Sequence, residues 1–348
     1  MQATEAYENT RDFVKEYLNA SAREEIVFTS GATAAINLVA FSFGEAFVGE
    51  GDEILVSTAE HHSNIVPWQM LCQRKKAVLK VLDIKENGVL AVENLEKLIS
   101  RRTKIVAISH ISNVLGVVNP VREIVAVCHK KGVPVLVDGA QGIVHSRVDV
   151  QDLDCDFYVF SGHKVYAATG TGVLYGKRKW LEAMPPYMGG GEMIETVRFS
   201  GTTYAPLPEK FEAGTQNFNG VPTLVPALQL HKECLDSAEI IECQKNIKEY
   251  IYTYLTRNSL ITLYGTPDSL EEKIPLFSFT VKGVHHEDLA LILDKMGFAL
   301  RSGQMCAEPL MDRLGVTGML RASFAPYNTM EEAEAFVKGL EKAIKMLI

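Results

Sequence analysis

The sequence predicts an α/β protein, with a large, mostly parallel sheet covered by helices and a smaller C-terminal α+β unit. Short apolar runs alternate with helical patterns through the first two thirds of the chain. Within each run the apolar residues are continuous, as in strands buried on both faces. From about residue 261 strands are followed by helices in a different rhythm, and 348 residues exceed what one small core uses.

Residues 4–18 read as a helix with Tyr7, Val14, Tyr17 and Leu18 on one side. Ile26–Thr29 is a short strand that runs into Ser30-Gly31-Ala32-Thr33 and a further helix. Strand-type runs follow at Glu53–Ser57, Ala77–Ile84, Lys104–His110, Pro134–Val137, Phe157–Phe160 and Gly172–Tyr175. Helical patterns fall between them at Val92–Ile99 and Val121–Lys131. Residues 186–222 are Gly-rich and polar and read as loop, and 223–256 read as one long helical stretch. The smaller unit reads as strands Ile261–Tyr264, Leu276–Val281, Phe298–Arg301 and Leu320–Phe324, with helices at Glu287–Met296 and 330–347. The expected organisation is an N-terminal helix over 1–19, a large unit over 20–256 and a small one over 257–348.

Hydrophobic residues make up 47% and charged residues 22%, the balance of a globular enzyme. A net charge of −8 argues against nucleic acid and anionic membranes, which reward clustered Lys and Arg. No apolar run approaches a bilayer span, and the N-terminus lacks a secretory h-region. The six cysteines are scattered without CxxC pairs, so the expectation is a cytoplasmic protein with reduced thiols and no zinc site.

Lys164 follows the apolar run FYVF in Ser161-Gly162-His163-Lys164. A partly desolvated lysine has a lowered pKa and is suited to a Schiff base; the alternative is a surface lysine in a loop. Asp138 ends the apolar run PVLV, twenty-six residues earlier. A buried carboxylate needs a cationic partner, and the protonated pyridine nitrogen of pyridoxal phosphate is one. Capping a helix is the other use of an aspartate there. Gln141, slightly further on, has reach for the ring hydroxyl. The Gly-containing turn at Ala32 and Thr33 offers a helix N-terminus to a phosphate, or is a plain cap. Ser161 and His163 flank the lysine with reach for the same phosphate.

In Glu60-His61-His62 the adjacent histidines diverge and lack partners at metal-ligand spacing, so His61 reads as a ring stacked on a cofactor face. Cys306 follows Arg301-Ser302-Gly303 in a loop where a cation favours its thiolate; the alternative is a buried small hydrophobe. Arg321, inside an apolar strand pattern, needs an anion, either a substrate carboxylate or a structural acid.

The stretches TSGATAAINLVA, AEHHSNIVPWQMLC, ISNVLGVVNP, VLVDGAQ, DFYVFSGHK, FEAGT, RSGQMCAEPLM and RASFAPYN run in order along the chain. Together they resemble the class V aminotransferase-type pyridoxal-phosphate enzymes, most closely the SufS-type cysteine desulfurases and selenocysteine lyases. The resemblance implies the type I transferase fold and a homodimer, with L-cysteine, or L-selenocysteine, as substrate. Lys164 would hold the cofactor and move the Cα proton, His61 would stack on the ring, and Asp138 and Gln141 would contact its nitrogen and hydroxyl. Ala32, Thr33, Ser161 and His163 would bind phosphate, Thr215 the phosphate of the partner subunit's cofactor. Asn113 and Arg321 would hold the substrate carboxylate. Cys306, with Arg301 nearby, would take the sulfur and pass it to a protein or small-thiol acceptor. Iron–sulfur cluster assembly is the family expectation for the pathway.

Two departures are visible. Family members carry a further segment ahead of the stretch matched by MQATEAYENTR, so the expectation is a chain without that segment. Gln304-Met305 also stands before Cys306 where the SufS type has two histidines, and Ala167-Ala168 replaces Gly-Pro after Lys164. The alternatives are a selenocysteine lyase, another class V enzyme that does not use Cys306, and a non-catalytic cofactor-binding homodimer.

Overall fold

Alternate residues of a strand point to opposite faces, and the computed structural model, which describes residues 2–348, builds two cores on that rule. The strands are β1 (Ile26–Thr29), β2 (Glu53–Ser57), β3 (Val78–Leu82), β4 (Thr103–Ser109), β5 (Val135–Asp138), β6 (Phe157–Ser161) and β7 (Gly172–Gly176). Val106 and Ile108 of β4 and Val135 and Val137 of β5 join one core, with Val14, Ile124 and Leu228 from the helices Gln2–Tyr17, Val121–Lys130 and Leu224–Asp236. Ile105, Ala107 and Leu136 join the other, with Ile36, Phe43 and Trp68 from Ala32–Phe47 and Val66–Lys75. Burying each such side chain contributes about 1.5–3 kcal/mol.

These strands form one sheet in the order β1-β7-β6-β5-β4-β2-β3. Neighbours are parallel from β6 to β3, and β7 runs antiparallel to both of its neighbours. The parallel strands therefore end on the same side, where ligands bind in open α/β sheets. Ser109, Asp138 and Ser161 are the last residues of β4, β5 and β6.

Three expectations need correction. Residues 186–222 contain a hairpin, β8 (Ile194–Arg198) with β9 (Gly201–Tyr204). It is exposed along almost its whole length, so no burial pattern marks it in the sequence. The stretch 223–256 is two helices, because Ser237 leaves helical geometry and caps Ala238–Arg257 by accepting from Ile240 N–H. The strand expected at Phe298–Arg301 begins at Arg301 instead; Phe298 packs on Phe336, with ring centroids 6.0 Å apart.

The second sheet is antiparallel throughout, with β10 (Ile261–Tyr264), β11 (Leu276–Val281), β12 (Arg301–Gly303) and β13 (Met319–Ser323) in the order β10-β11-β13-β12. Ile247, Ile251 and Leu255 of Ala238–Arg257, Leu289 of His286–Lys295 and Leu340 of Met330–Leu347 share its core. Among the described residues no helix is long and apolar enough to cross a membrane.

Candidate active site

The strand ends open into a cavity of about 190 Å³ lined by Ala32, Thr33, His61, Asn113, Asp138, Gln141, Ser161, His163 and Lys164, together with Ser63, Ser109, Ile111 and Ala140. Nine residues singled out in the sequence thus come together from five separate segments.

On the β1 side the turn into the helix Ala32–Phe47 brings Ala32 N–H onto Ser161 Oγ at 2.8 Å. The approach is tight: a Cβ on Gly172 would sit 2.4 Å from Gly31 Cα. Thr33 Oγ1 lies 2.8 Å from Ser63 Oγ. Ser63 also donates its backbone N–H to His61 Nδ1 at 3.1 Å. That bond fixes the ring and leaves the neutral form's proton on Nε2. Burial holds the His61 pKa below its ordinary value, against the attraction of Asp138. His62 turns away and accepts Glu308 N–H on Nε2 at 3.0 Å.

Asp138 is 6% exposed and accepts Ala140 N–H at 2.9 Å, so it does cap the turn after β5. That bond uses one carboxylate oxygen. Among the described residues no basic side chain lies within ion-pair distance of Asp138, and the lysine charge at Lys164 reaches it across the cavity. Burial lowers the Lys164 pKa, and Arg321 and Arg301 push the same way against Asp138 and Cys306. A neutral amine is thereby brought closer at neutral pH.

The second sheet closes the site. Arg301 of β12 lies opposite Arg321 of β13. Arg321 donates from Nη1 to the Asn113 carbonyl at 2.8 Å, while its buried Nε has no hydrogen-bond partner among the described residues. Burial and Arg301 lower its pKa to about 10. Asn113 Nδ2 donates to Met305 O at 2.9 Å. His62 N–H donates to Cys306 O at 2.8 Å, and Arg301 Nη2 lies 3.5 Å from Cys306 Sγ. Met305 and Cys306 both hold left-handed backbone, at φ 57° and 58°. Such conformations cost non-glycine residues about 1–2 kcal/mol each. The ties from His62 and Asn113 hold them there. Cys306 is half-buried, whereas Cys72, Cys128 and Cys155 are buried and their thiol pKa values are pushed up.

Thr215 does not join this cavity. It is exposed, three residues beyond Glu212. Glu212 is anchored by Arg11 Nη1 at 2.8 Å, Phe28 N–H at 2.7 Å and Tyr7 OH at 2.9 Å. Sequence reasoning also gave no role to Glu60. It is fully buried under the site and accepts from Ser57 Oγ, from Asn64 Nδ2 at 2.7 Å and from Ser109 N–H at 3.0 Å. An acid three residues beyond the apolar strand β2 was the available signal. Burial pushes its pKa up to about 7 against these donors. Among the described residues no group of three His, Cys, Asp or Glu side chains is placed to hold a metal ion.

The aminotransferase class-V family model matches residues 1–336. A cysteine desulfurase of Escherichia coli is 46% identical over 347 residues, covering 99% of this chain and 84% of the relative. The chain belongs to the cysteine desulfurases of the class V aminotransferase family. A probable cysteine desulfurase of Halalkalibacterium halodurans is also 46% identical, over 98% of this chain and 82% of its own length. The crystal structure of the cysteine desulfurase CsdA from Escherichia coli superposes with a TM-score of 0.93 at 41% identity, covering 100% of this chain and 86% of the other.

The cavity fits pyridoxal phosphate. A buried carboxylate without a cation faces a lysine of lowered pKa, and a helix N-terminus with Ser161 and Thr33 lies to one side. This donor set suits a pyridinium, an aldehyde carbon and a phosphate.

Proposed function

We propose that this desulfurase converts L-cysteine to L-alanine and receives the sulfur on Cys306 as a persulfide. The observation that carries the reading is the joining of Cys306 and Arg321, from the second sheet unit, to the cavity that holds Lys164 and Asp138. When bound, pyridoxal phosphate supplies an electron sink for negative charge at the substrate Cα.

Lys164 Nζ would hold the cofactor and then move the Cα proton. Asp138 would pair with the ring nitrogen, Gln141 would contact the ring hydroxyl and His61 would stack on the ring face. Ala32, Thr33, Ser161 and His163 would hold the phosphate. Arg321, with its free Nε, and Asn113 would orient the substrate carboxylate. The Cys306 thiolate would attack the substrate sulfur; an S–S bond forms as the Cβ–S bond breaks, and its electrons are taken up as the alanine methyl is protonated. Arg301 beside Sγ favours the thiolate.

The active unit in this reading is a homodimer in which Thr215 reaches the partner's cofactor phosphate, and a thiol acceptor removes the persulfide sulfur. Six free cysteines suit a reducing, cytoplasmic compartment. We take 20–256 as the cofactor-holding unit and 257–348 as the smaller one, with Ala238–Arg257 bridging them by packing on the second core.

Alanine release from L-cysteine with a thiol reductant, compared between the native protein and Cys306→Ala, tests this. Release by the native chain alone is expected. Equal release by both would remove Cys306 from the reaction and favour another class V activity.

A further inference from the structure

Four consecutive carbonyls in the segment that carries Asn113 are each held by a donor from the second sheet unit. Asn113 O accepts from Arg321 Nη1 at 2.8 Å, Val114 O from Ser278 Oγ at 2.5 Å, Leu115 O from Lys273 Nζ at 2.6 Å and Gly116 O from Ile274 N–H at 2.9 Å. Val118 N–H returns the tie to Glu272 O at 2.8 Å. The contact is so close that a Cβ on Gly116, at φ 63°, would lie 2.6 Å from Leu276 O. Val114 and Leu115 are fully buried, so water cannot serve these carbonyls and each needs a protein donor.

Lys273 is the costly member of this set. It is 1% exposed, its Nζ donates to Leu115 O, and it lies 5.4 Å from the Phe277 ring centroid. Among the described residues no carboxylate pairs with it. Burial, with Lys248 nearby, pushes its pKa down to about 7. An apolar side chain would fill the same space without that penalty. What the amine adds is a long-reaching donor to a carbonyl that has no other among the described residues.

We propose that Lys273 is a positioning residue of the desulfurase site: by holding the Leu115 carbonyl it fixes the segment Asn113–Gly116 against the second sheet unit and so sets the Asn113 side chain. The proposal rests on the reading of Asn113 as a substrate-carboxylate contact. Asn113 Nδ2 also holds Met305 O, so the same anchor steadies the loop that carries Cys306. Lys273 touches no reacting atom; it acts through Asn113.

The experiment compares native protein, Lys273→Met, which keeps length and loses the donor, and Lys273→Arg, which keeps a donor. Amide hydrogen exchange across residues 112–118 is read beside KM and kcat for L-cysteine and the melting temperature. In Lys273→Met, exchange over 112–118 is expected to quicken about tenfold and KM to rise about tenfold, the size of one lost hydrogen bond, with kcat within about twofold. Lys273→Arg is expected to recover most of both. Unchanged exchange overturns the anchor. Faster exchange with unchanged KM overturns the positioning role, as does a lowered melting temperature without the KM–kcat split. If Lys273→Met does not fold, Ser278→Ala, which frees the adjacent Val114 carbonyl, is expected to raise exchange over the same residues, and unchanged exchange there overturns the proposal. A native chain that does not turn over L-cysteine refutes the desulfurase reading, while the exchange result still decides the anchor.

Discussion

The floor of the site comes from adjacent strand ends of one sheet, Ser109, Asp138 and Ser161, whereas its rim joins Asn113, beyond β4, to Arg321 and to Met305 of the loop that carries Cys306, with Arg301 opposite Arg321. The floor is held by ladder hydrogen bonds and by buried apolar side chains on both faces. The rim is held by a few side-chain bonds to carbonyls, among them Arg321 to Asn113 O and Asn113 to Met305 O. The floor is thus set once the sheet forms, while the rim depends on how the second unit docks. Chemistry that needs fixed charge sits in the floor, and the group that must reach an outside acceptor sits in the rim.

The largest expected effect is in the floor. Lys164→Ala should lower alanine release by at least about a thousandfold, since both cofactor attachment and proton movement are assigned to that amine. A loss below about tenfold in steady-state rate would break the contrast. A smaller effect is expected in the rim. Arg321→Lys keeps the charge but loses the planar fork, so KM for L-cysteine should rise about tenfold with kcat little changed. A fall in kcat at constant KM would move Arg321 from substrate binding to the reacting centre.

The smallest effect sharpens the account of the floor. Glu60 has its folded pKa raised to about 7 from an ordinary 4.5. The folded state therefore holds more protons than the unfolded state between those values, and stability should fall as pH rises from about 4.5 to about 7, then level off. Denaturant titrations of Glu60→Gln across that range should show the fall removed. A native protein equally stable at pH 5 and pH 8, within about 1 kcal/mol, would mean that the donors around Glu60 cancel its burial.

Much of the floor was legible in the sequence because its signals are local. A lysine or aspartate at the end of an apolar run stands out as a candidate, though a loop lysine and a capping aspartate read the same way, and strand periodicity placed β1 and β2 at their observed limits. The hairpin at Ile194–Tyr204 was not legible, since neither of its faces is buried in this chain and no pattern of two distinguishes it from loop. The break at Ser237 was hidden for a different reason: helical periodicity continues across a single capping residue.

The sequence by itself determined the fold class, the alternation of strands and helices and the residue types of the site, because periodicity and turn chemistry act over a few residues. Only the tertiary structure decided that Cys306 is half-buried beside Arg301, that Arg321 has an unsatisfied Nε, that Glu60 lies fully buried against Ser109 and that Lys273 holds Leu115. The burial of Glu60 is settled by packing within the first unit, whereas the placing of Arg321 and Lys273 is settled by the docking of one sheet unit on the other.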